Sequence, residues 1–404
     1  MDDRKLIEDL YSIVSPWFVS RVVLDPAGRR LDAYLDHEEN CRWQCPTCQR
    51  ESCISDHVGD RVWRDLDSGI YHVYLHARIP RIECPEHGKL QVRIPWAERH
   101  SRFSMRFETL AINMMENMDI LNTSRILDVT WFQAHGIMKR AVNRGLSRKS
   151  SAPSRIGVDE KSYGRGHKYM TVVFSHDFPG VDFVVNGRKE ESLDQYYEHI
   201  GKEASSGISS VSMDMWDPYI ASTKEYVDSA LSKIVFDKFH IMKHMNMALD
   251  TVRREESKLP RTRNMLKETR FMWLYSSEKL PDKYRERYEM LKASDLKTAR
   301  AYAIKENLRN LWSCEKEEEA MAFWKKWYWW AIHSRLKPVR DVAKMMKNYL
   351  YGILSYFTHR ITNAIAEGMN SKIATVQKMA YGYRNMEHMK VAIYFHCGNL
   401  DMRF

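Results

Sequence analysis

Two short Cys/His knuckles, Cys45-Pro-Thr-Cys48 and Cys84-Pro-Glu-His87, constrain the first quarter of this chain more than any other feature. Each has the C-x2-C/H spacing of half a tetrahedral zinc site, and two halves supply the four ligands of a closed one. The segment between them must therefore fold back. It alternates in Tyr71-His-Val-Tyr-Leu-His-Ala-Arg-Ile79 and carries Asp67-Ser-Gly69 as a turn, which predicts a hairpin that returns the second knuckle to the first. Four protein ligands leave no position for water, so the expected zinc is structural. Cys41 and Cys53 stand as substitute ligands or bystanders. The start, Met1-Asp-Asp-Arg-Lys5, lacks the apolar stretch of a secretory signal. Clustered cysteines in such a chain favour metal over disulfides, and with it a reducing cytoplasm. No run nears the roughly 18 apolar residues of a membrane span.

Around the knuckles the periodicity predicts a helix over residues 4–14 and strands over 19–24 and 30–35, joined by the turn Asp25-Pro-Ala-Gly28. Residues 103–118 read as a helix with Phe107, Leu110, Ala111 and Met114 on one stripe. Residues 122–140 read as helix, tight turn, helix, with Thr130 capping the second. A helix-turn-helix would present that second helix to a major groove, offering Gln133, Lys139 and Arg140 to DNA. Residues 143–154 read as a linker. A net charge of +10 agrees with a polyanionic partner.

Beyond the linker three acids stand at the ends of apolar segments. Arg155-Ile-Gly-Val-Asp159-Glu-Lys-Ser162 is a β-type run that delivers an acid and then breaks into a Lys/Gly/Arg-rich loop. Ile208-Ser-Ser-Val-Ser-Met-Asp214-Met-Trp216 ends another β-type run in an acid that strand propensity does not favour. His359-Arg-Ile-Thr-Asn-Ala-Ile-Ala-Glu367-Gly-Met-Asn-Ser-Lys-Ile373 has helical spacing, with Arg360, Asn363, Asn370 and Ser371 on the stripe of Glu367 as candidate phosphate contacts. Two strand-borne Asp and one helix-borne Glu are the hard oxygen ligands that a pair of cations about 3.5–4 Å apart requires for phosphoryl transfer.

Strand patterns at 155–161, 169–176 and 181–186 precede a helix from Ser192. A strand at 207–213, a helix from Pro218, a strand at 233–236 and a helix from His240 follow. Three consecutive strands and then helix–strand alternation outline an RNase H-like mixed sheet. Roughly a hundred residues without strand signal then lead to Glu367, with recurring cations such as Arg261, Arg270, Lys325 and Arg340. The expected organisation is a multidomain α/β chain. It has a β-rich zinc-binding domain (1–100), a helix-turn-helix region with linker (101–150), a catalytic core begun at 151–256 and completed at 351–404, and an all-helical insertion at 257–350.

These parts, in this order, resemble the DDE transposases of bacterial insertion sequences, specifically the ISL-three family. The resemblance rests on the two knuckles, on Gly157-Val-Asp-Glu-Lys-Ser162, Ser212-Met-Asp-Met-Trp216 and Phe236-Asp-Lys-Phe-His240, on Ala301-Tyr-Ala-Ile-Lys-Glu-Asn-Leu308, and on the long Glu367 motif followed by Gly382-Tyr-Arg-Asn385. One departure is His87, where a Cys is commoner. The resemblance implies an enzyme that binds terminal inverted repeats through its zinc and helix-turn-helix parts. It further implies that Asp159, Asp214 and Glu367 bind two magnesium ions for strand cleavage and strand transfer on double-stranded DNA. Asp237 and His240 look like the Asp-x-x-His signature of related enzymes and are expected to support the site. At least a dimer is expected, since two ends must be joined, and association with the nucleoid would follow from DNA binding. The rival expectation is an inactive, transposase-derived DNA-binding regulator.

Overall fold

The computed structural model describes residues 3–149, 151–164, 166 and 168–404. Met1 and Asp2 of the N-terminal stretch, Ser150 of the expected linker and Arg165 of the basic loop lie outside the described residues. The chain divides into two units, one reaching to Arg148 and including Asp401–Phe404, the other Lys149–Leu400.

The first unit opens with helix α1 (Asp3–Leu10) and a sheet ordered β1-β2-β7-β6. Strands β1 (Trp17–Asp25) and β2 (Arg30–His37) form an antiparallel pair. Their turn is held by Asp25 Oδ1, which accepts from the backbone N–H groups of Ala27 and Gly28. Strands β6 (Arg61–Arg64) and β7 (His72–Ala77) make the expected hairpin, with Gly69 at φ +59° in its turn. That hairpin does not itself join the knuckles. Short pieces do so instead: β3 (Trp43–Gln44) pairs with β4 (Glu51–Ser52), while β5 (Ile54–His57), β8 (Pro80–Cys84) and β9 (Gly88–Gln91) form a separate three-stranded sheet. Four tryptophans fill the core edge to face, with Trp17 4.9 Å from Trp96 and 5.3 Å from Trp43, and Trp63 5.7 Å from Trp96. Large rings supply burial that such short strands cannot.

Helices α2 (Met105–Asn117), α3 (Ile120–Ile126) and α4 (Trp131–Ser147) follow. Thr130 caps α4 as expected, in a full capping box with Gln133. The inward stripe of α2 is Phe107, Glu108, Ala111, Ile112 and Met115, while Leu110 is exposed. The expected stripe was rotated because Glu108, a charge, takes a core position: it accepts from Arg140 Nε at 2.9 Å and from Ser101 Oγ at 2.6 Å. Residues 143–147, expected as linker, continue α4. There Arg144 donates to Glu98 and to the carbonyl of Met402, and lies 3.7 Å over the Phe404 ring.

The second unit is built on a five-stranded sheet ordered β12-β11-β10-β13-β14. Strands β10 (Arg155–Gly164), β11 (Lys168–Ser175) and β12 (Gly180–Asn186) form an antiparallel meander, and β13 (Ser210–Met213) and β14 (Ile234–Phe236) add parallel to β10. Strand β10 runs three residues past Lys161, where a loop was expected, because Glu160, Lys161 and Ser162 stay paired to β11. Helices α5 (Glu190–Ser206), α6 (Asp217–Tyr226), α7 (Ala230–Lys233) and α8 (Lys238–Glu256) are interleaved with these strands.

From α9 (Pro260–Leu266) through α10 (Arg270–Leu274), α11 (Asp282–Lys292), α12 (Lys297–Arg309), α13 (Glu317–His333) and α14 (Lys337–Asn348) the described residues contain helix and no strand. This stretch shares one apolar core with the sheet, running from Ile156, Met213 and Phe236 through Met245, Trp273 and Tyr302 to Trp327 and Ile353. Helix α15 (Leu350–His359) then packs on β14 so closely that a Cβ on Gly352 would lie 2.4 Å from the Phe236 ring. The stretch 359–373 is not one helix: α15 stops at Arg360, at φ 53°, and α16 (Ala364–Met379) starts afresh. Helix α17 (Met386–Cys397) closes the unit against β12, where Tyr394 Oη accepts from Val184 N. No helix among the described residues is long and apolar enough to cross a membrane.

Candidate active site and metal centres

The turn after β3 and the β8–β9 turn bring Cys45, Cys48, Cys84 and His87 together, with all four ligand atoms within 4.8 Å of one another. Cys48 Sγ lies 3.6 Å from Cys84 Sγ, Cys84 Sγ 3.6 Å from His87 Nδ1, and Cys45 Sγ 3.9 Å from His87 Nδ1. The edge of a tetrahedron with 2.3 Å zinc–sulfur bonds is about 3.8 Å, so these residues fit the ion. Backbone N–H groups help: that of Cys48 lowers the Cys45 thiol pKa and that of Glu86 lowers the Cys84 thiol pKa. Cys41 stands apart, with Sγ 3.9 Å from His37 Nδ1, and Cys53 is exposed.

In the second unit the parallel pair β10–β13 sets the position of two acids. Gly157 is paired with Ser212, and Asp159 and Asp214 each follow two residues on. Asp159 is within β10, where that interval returns to the same face of the sheet, whereas Asp214, expected on a strand, stands just past the end of β13. Both line a cleft of about 130 Å³ with Arg188, Trp216, His240 and His244. Asp159 Oδ1 accepts from the Glu160 N–H at 2.7 Å and Oδ2 from Asn370 Nδ2 at 2.6 Å. Burial, and then the charge of Asp214, push the Asp159 carboxyl up to about 7. Asp214 Oδ2 lies 2.9 Å from His240 Nδ1, whose pKa that contact raises, while Asp214 Oδ1 is buried with no partner. Asp237, buried at the N-terminus of α8, completes a cluster with Asp214 and His240 whose ligand atoms lie within 4.8 Å. Its carboxyl pKa is raised by burial, then by the charges of Asp214 and Glu367.

Glu367 is exposed in the first turn of α16 and is not among the cleft-lining residues, but its field reaches Asp237. The helix it stands on is tied to β10 by Asn370 and by Lys161, whose Nζ donates to the Asn370 carbonyl at 3.2 Å. An orphaned carboxylate oxygen, crowded acids and a raised carboxyl pKa are what divalent cations relieve, so the donor set suits magnesium.

Other candidates are placed differently. Arg360 ends α15 and donates to the Glu315 carbonyl, off the helix of Glu367. Arg140 is held by Glu108, and Gln133 accepts from the Thr130 N–H with its side-chain oxygen. Lys139 is exposed on α4. Sequence reasoning missed the polar floor beneath the acids, where Ser212 Oγ donates to Asn363 Oδ1 at 3.2 Å and meets His176 Nε2 at 2.8 Å. Gly157 was its signal, since a Cβ there would lie 2.9 Å from Ser212 Oγ.

Residues 156–393 match the family model described as transposase, of the DDE type of ISL3 elements. The chain belongs to the ISL3 transposase family. Residues 42–87 match the zinc-finger of the transposases of IS204, IS1001, IS1096 and IS1165, and residues 92–142 the helix-turn-helix domain of transposase family ISL3. Similar proteins include the transposase for insertion sequence element IS1557 of Mycobacterium tuberculosis, 27% identical over 89% of this chain and 86% of that relative. Another is the transposase for IS1001 of Bordetella parapertussis, 26% identical over 97% and 98%. This ISL3-family chain is thus an enzyme of DNA cleavage and transfer that binds DNA, carries structural zinc and uses magnesium. Nothing in these matches favours the inactive alternative.

Proposed function

We propose that Asp159, Asp214 and Glu367 are the acids that hold two magnesium ions while this transposase cuts DNA at the ends of its element and joins the freed ends to a target. The observation that carries this reading is the pairing of Gly157 with Ser212, from which Asp159 in β10 and Asp214 just past the end of β13 each lie two residues on and line one cleft. The sheet order, with a three-stranded meander extended by two parallel strands, supports an RNase H-like core.

Held by these acids, divalent metal would make an attacking water more acidic and offset the charge on the departing 3′-oxygen. The protein's part is orientation. Asn370 fixes one oxygen of Asp159, and His240 fixes one oxygen of Asp214 and leaves the other free. Asp237 and His240 act as supporting groups. Neither a serine nor a tyrosine nucleophile is needed, because water and then the freed 3′-OH attack directly. Structural zinc and the α2–α4 helices serve recognition of the terminal repeats, with Lys139 the exposed cation of α4. Two DNA ends joined in one reaction call for at least two copies of the chain, acting at the nucleoid.

The test is cleavage of element-end DNA by Asp159→Asn, Asp214→Asn and Glu367→Gln variants. Each should lose cleavage and keep end binding. A variant that cuts at the normal rate removes its residue from the metal-holding set.

A further inference from the structure

Helix α8 has two working faces. Asp237, His240 and His244, three and four residues apart, form the face that belongs to the acid cluster. The adjacent face, from Lys238 to Arg254, borders a second cavity of about 1060 Å³ that also involves α10 and the end of α12. Six cations line it against a single carboxylate, Asp250. That carboxylate is shared by three guanidinium groups: Arg253 at 2.8 Å, Arg254 at 3.3 Å and Arg270 at 3.9 Å. One negative charge cannot balance three positive ones, so an ordered excess of positive charge faces the cavity. Arg254 and Arg270 keep about 60% of their side chains in solvent, at 64% and 60%, ready for a further anion.

The same wall is apolar where a plain phosphate site would be polar. Phe239 is 59% and Met247 60% exposed within it, and Trp312 lines it too. The side-chain oxygen of Asn246 is buried there without a hydrogen-bond partner. An exposed ring in a cationic groove gains only if a ligand brings flat apolar faces together with its negative charge. Duplex DNA hides its base faces in the stack, whereas unpaired nucleotides offer base faces, N–H donors and phosphates at once.

We propose that this groove takes a single-stranded stretch of DNA next to the phosphate held at the acid cluster. Phe239 stacks on a base, and Arg254 and Arg270 contact the backbone. The groove face of α8 is about 24 Å long at 1.5 Å per residue, enough for several nucleotides. The inference rests on the catalytic reading above only for the identity of the neighbouring phosphate.

The experiment uses the full chain without added magnesium and measures fluorescence anisotropy with a labelled dT12 strand and a 12-base-pair duplex. Phe239→Ala is expected to weaken dT12 binding about 10-fold, the loss of one stacked base. Arg254→Ala with Arg270→Ala should lower the salt dependence of log K for dT12 by about 1.4, the share of two single-strand phosphates. Duplex affinity should stay within about twofold in both variants. Equal losses on duplex and single strand, unchanged dT12 binding, or displacement of dT12 by an equally long polyglutamate would each overturn the proposal. Magnesium-dependent cutting of element-end DNA, measured in parallel, keeps the two readings apart. A wild type that binds dT12 through the groove but does not cut loses only the catalytic reading, and one that cuts while the variants bind dT12 normally loses only the groove.

Discussion

Asn370 donates from Nδ2 to Oδ2 of Asp159 at 2.6 Å, which ties the helix of Glu367 to the strand of the first acid across 211 residues of sequence. The other amide atom, Oδ1, is buried without a partner. Partners that orient metal-holding carboxylates typically change activity by 10–100-fold when removed. Asn370→Ala should therefore slow cleavage of element-end DNA by about that factor at fixed magnesium, with end binding unchanged. Asn370→Asp should shift the magnesium titration, because it adds a carboxylate beside one that already resists ionisation. An alanine variant with full activity would make the bond a packing feature only.

The polar floor under the acids is tested through Gly157. An added Cβ would meet buried Ser212 Oγ at 2.9 Å, half-buried His176 Nε2 at 3.1 Å and buried Asn363 Oδ1 at 3.4 Å. Overpacking of this kind costs about 1–3 kcal/mol. Gly157→Ala should lower the urea midpoint accordingly, and Ser212→Gly in the same chain should recover part of the loss by making room.

What could be read in the sequence depended on how local the cause was. That Asp159 and Asp214 would come to one cleft was legible because each ends a short apolar run, and Thr130 was legible because a capping box is written within four residues. The break between α15 and α16 was not, since 360–363 carries neither Gly nor Pro. It arises from Arg360 at φ 53° and from Asn363, which is buried against Ser212 on a distant strand. The rotated stripe of α2 has the same kind of origin, because Glu108 is tolerated inside by virtue of Arg140, Ser101 and Arg144. The route by which the knuckles meet was missed because strands of two to five residues carry too little alternation to be seen.

Zinc should be needed for the order of the first unit, since a closed site ties the β3–β4 and β8–β9 pairs that the core tryptophans rest on. Cys84→Ala should lose stoichiometric zinc and shift the tryptophan emission to the red through exposure of Trp17 and Trp43. His87→Cys should retain both zinc and the native emission, because a thiolate replaces the imidazole within the same tetrahedron. Loss of zinc in the His87→Cys variant alone would mean that the turn geometry selects nitrogen.

Lys305 offers a pH test remote from any metal. Its ammonium is fully buried and donates to the carbonyls of Trp273 and Tyr275 at 2.9 and 3.1 Å, beside Glu306 at 3.3 Å. Burial pushes its pKa down from 10.5 to about 8. Between those values the unfolded chain holds a proton that the folded chain has released, so this residue makes stability rise with pH. Below the folded value both states are charged and the whole cost is present. Relative to Lys305→Met, which has no proton to bind, the wild type should gain about 2 kcal/mol between pH 8 and pH 10. Denaturant melts of the two proteins across that range would measure it. A constant difference would mean that the two carbonyls and Glu306 hold the ammonium charged against the desolvation, and that the helical stretch tolerates a buried cation without a titration penalty.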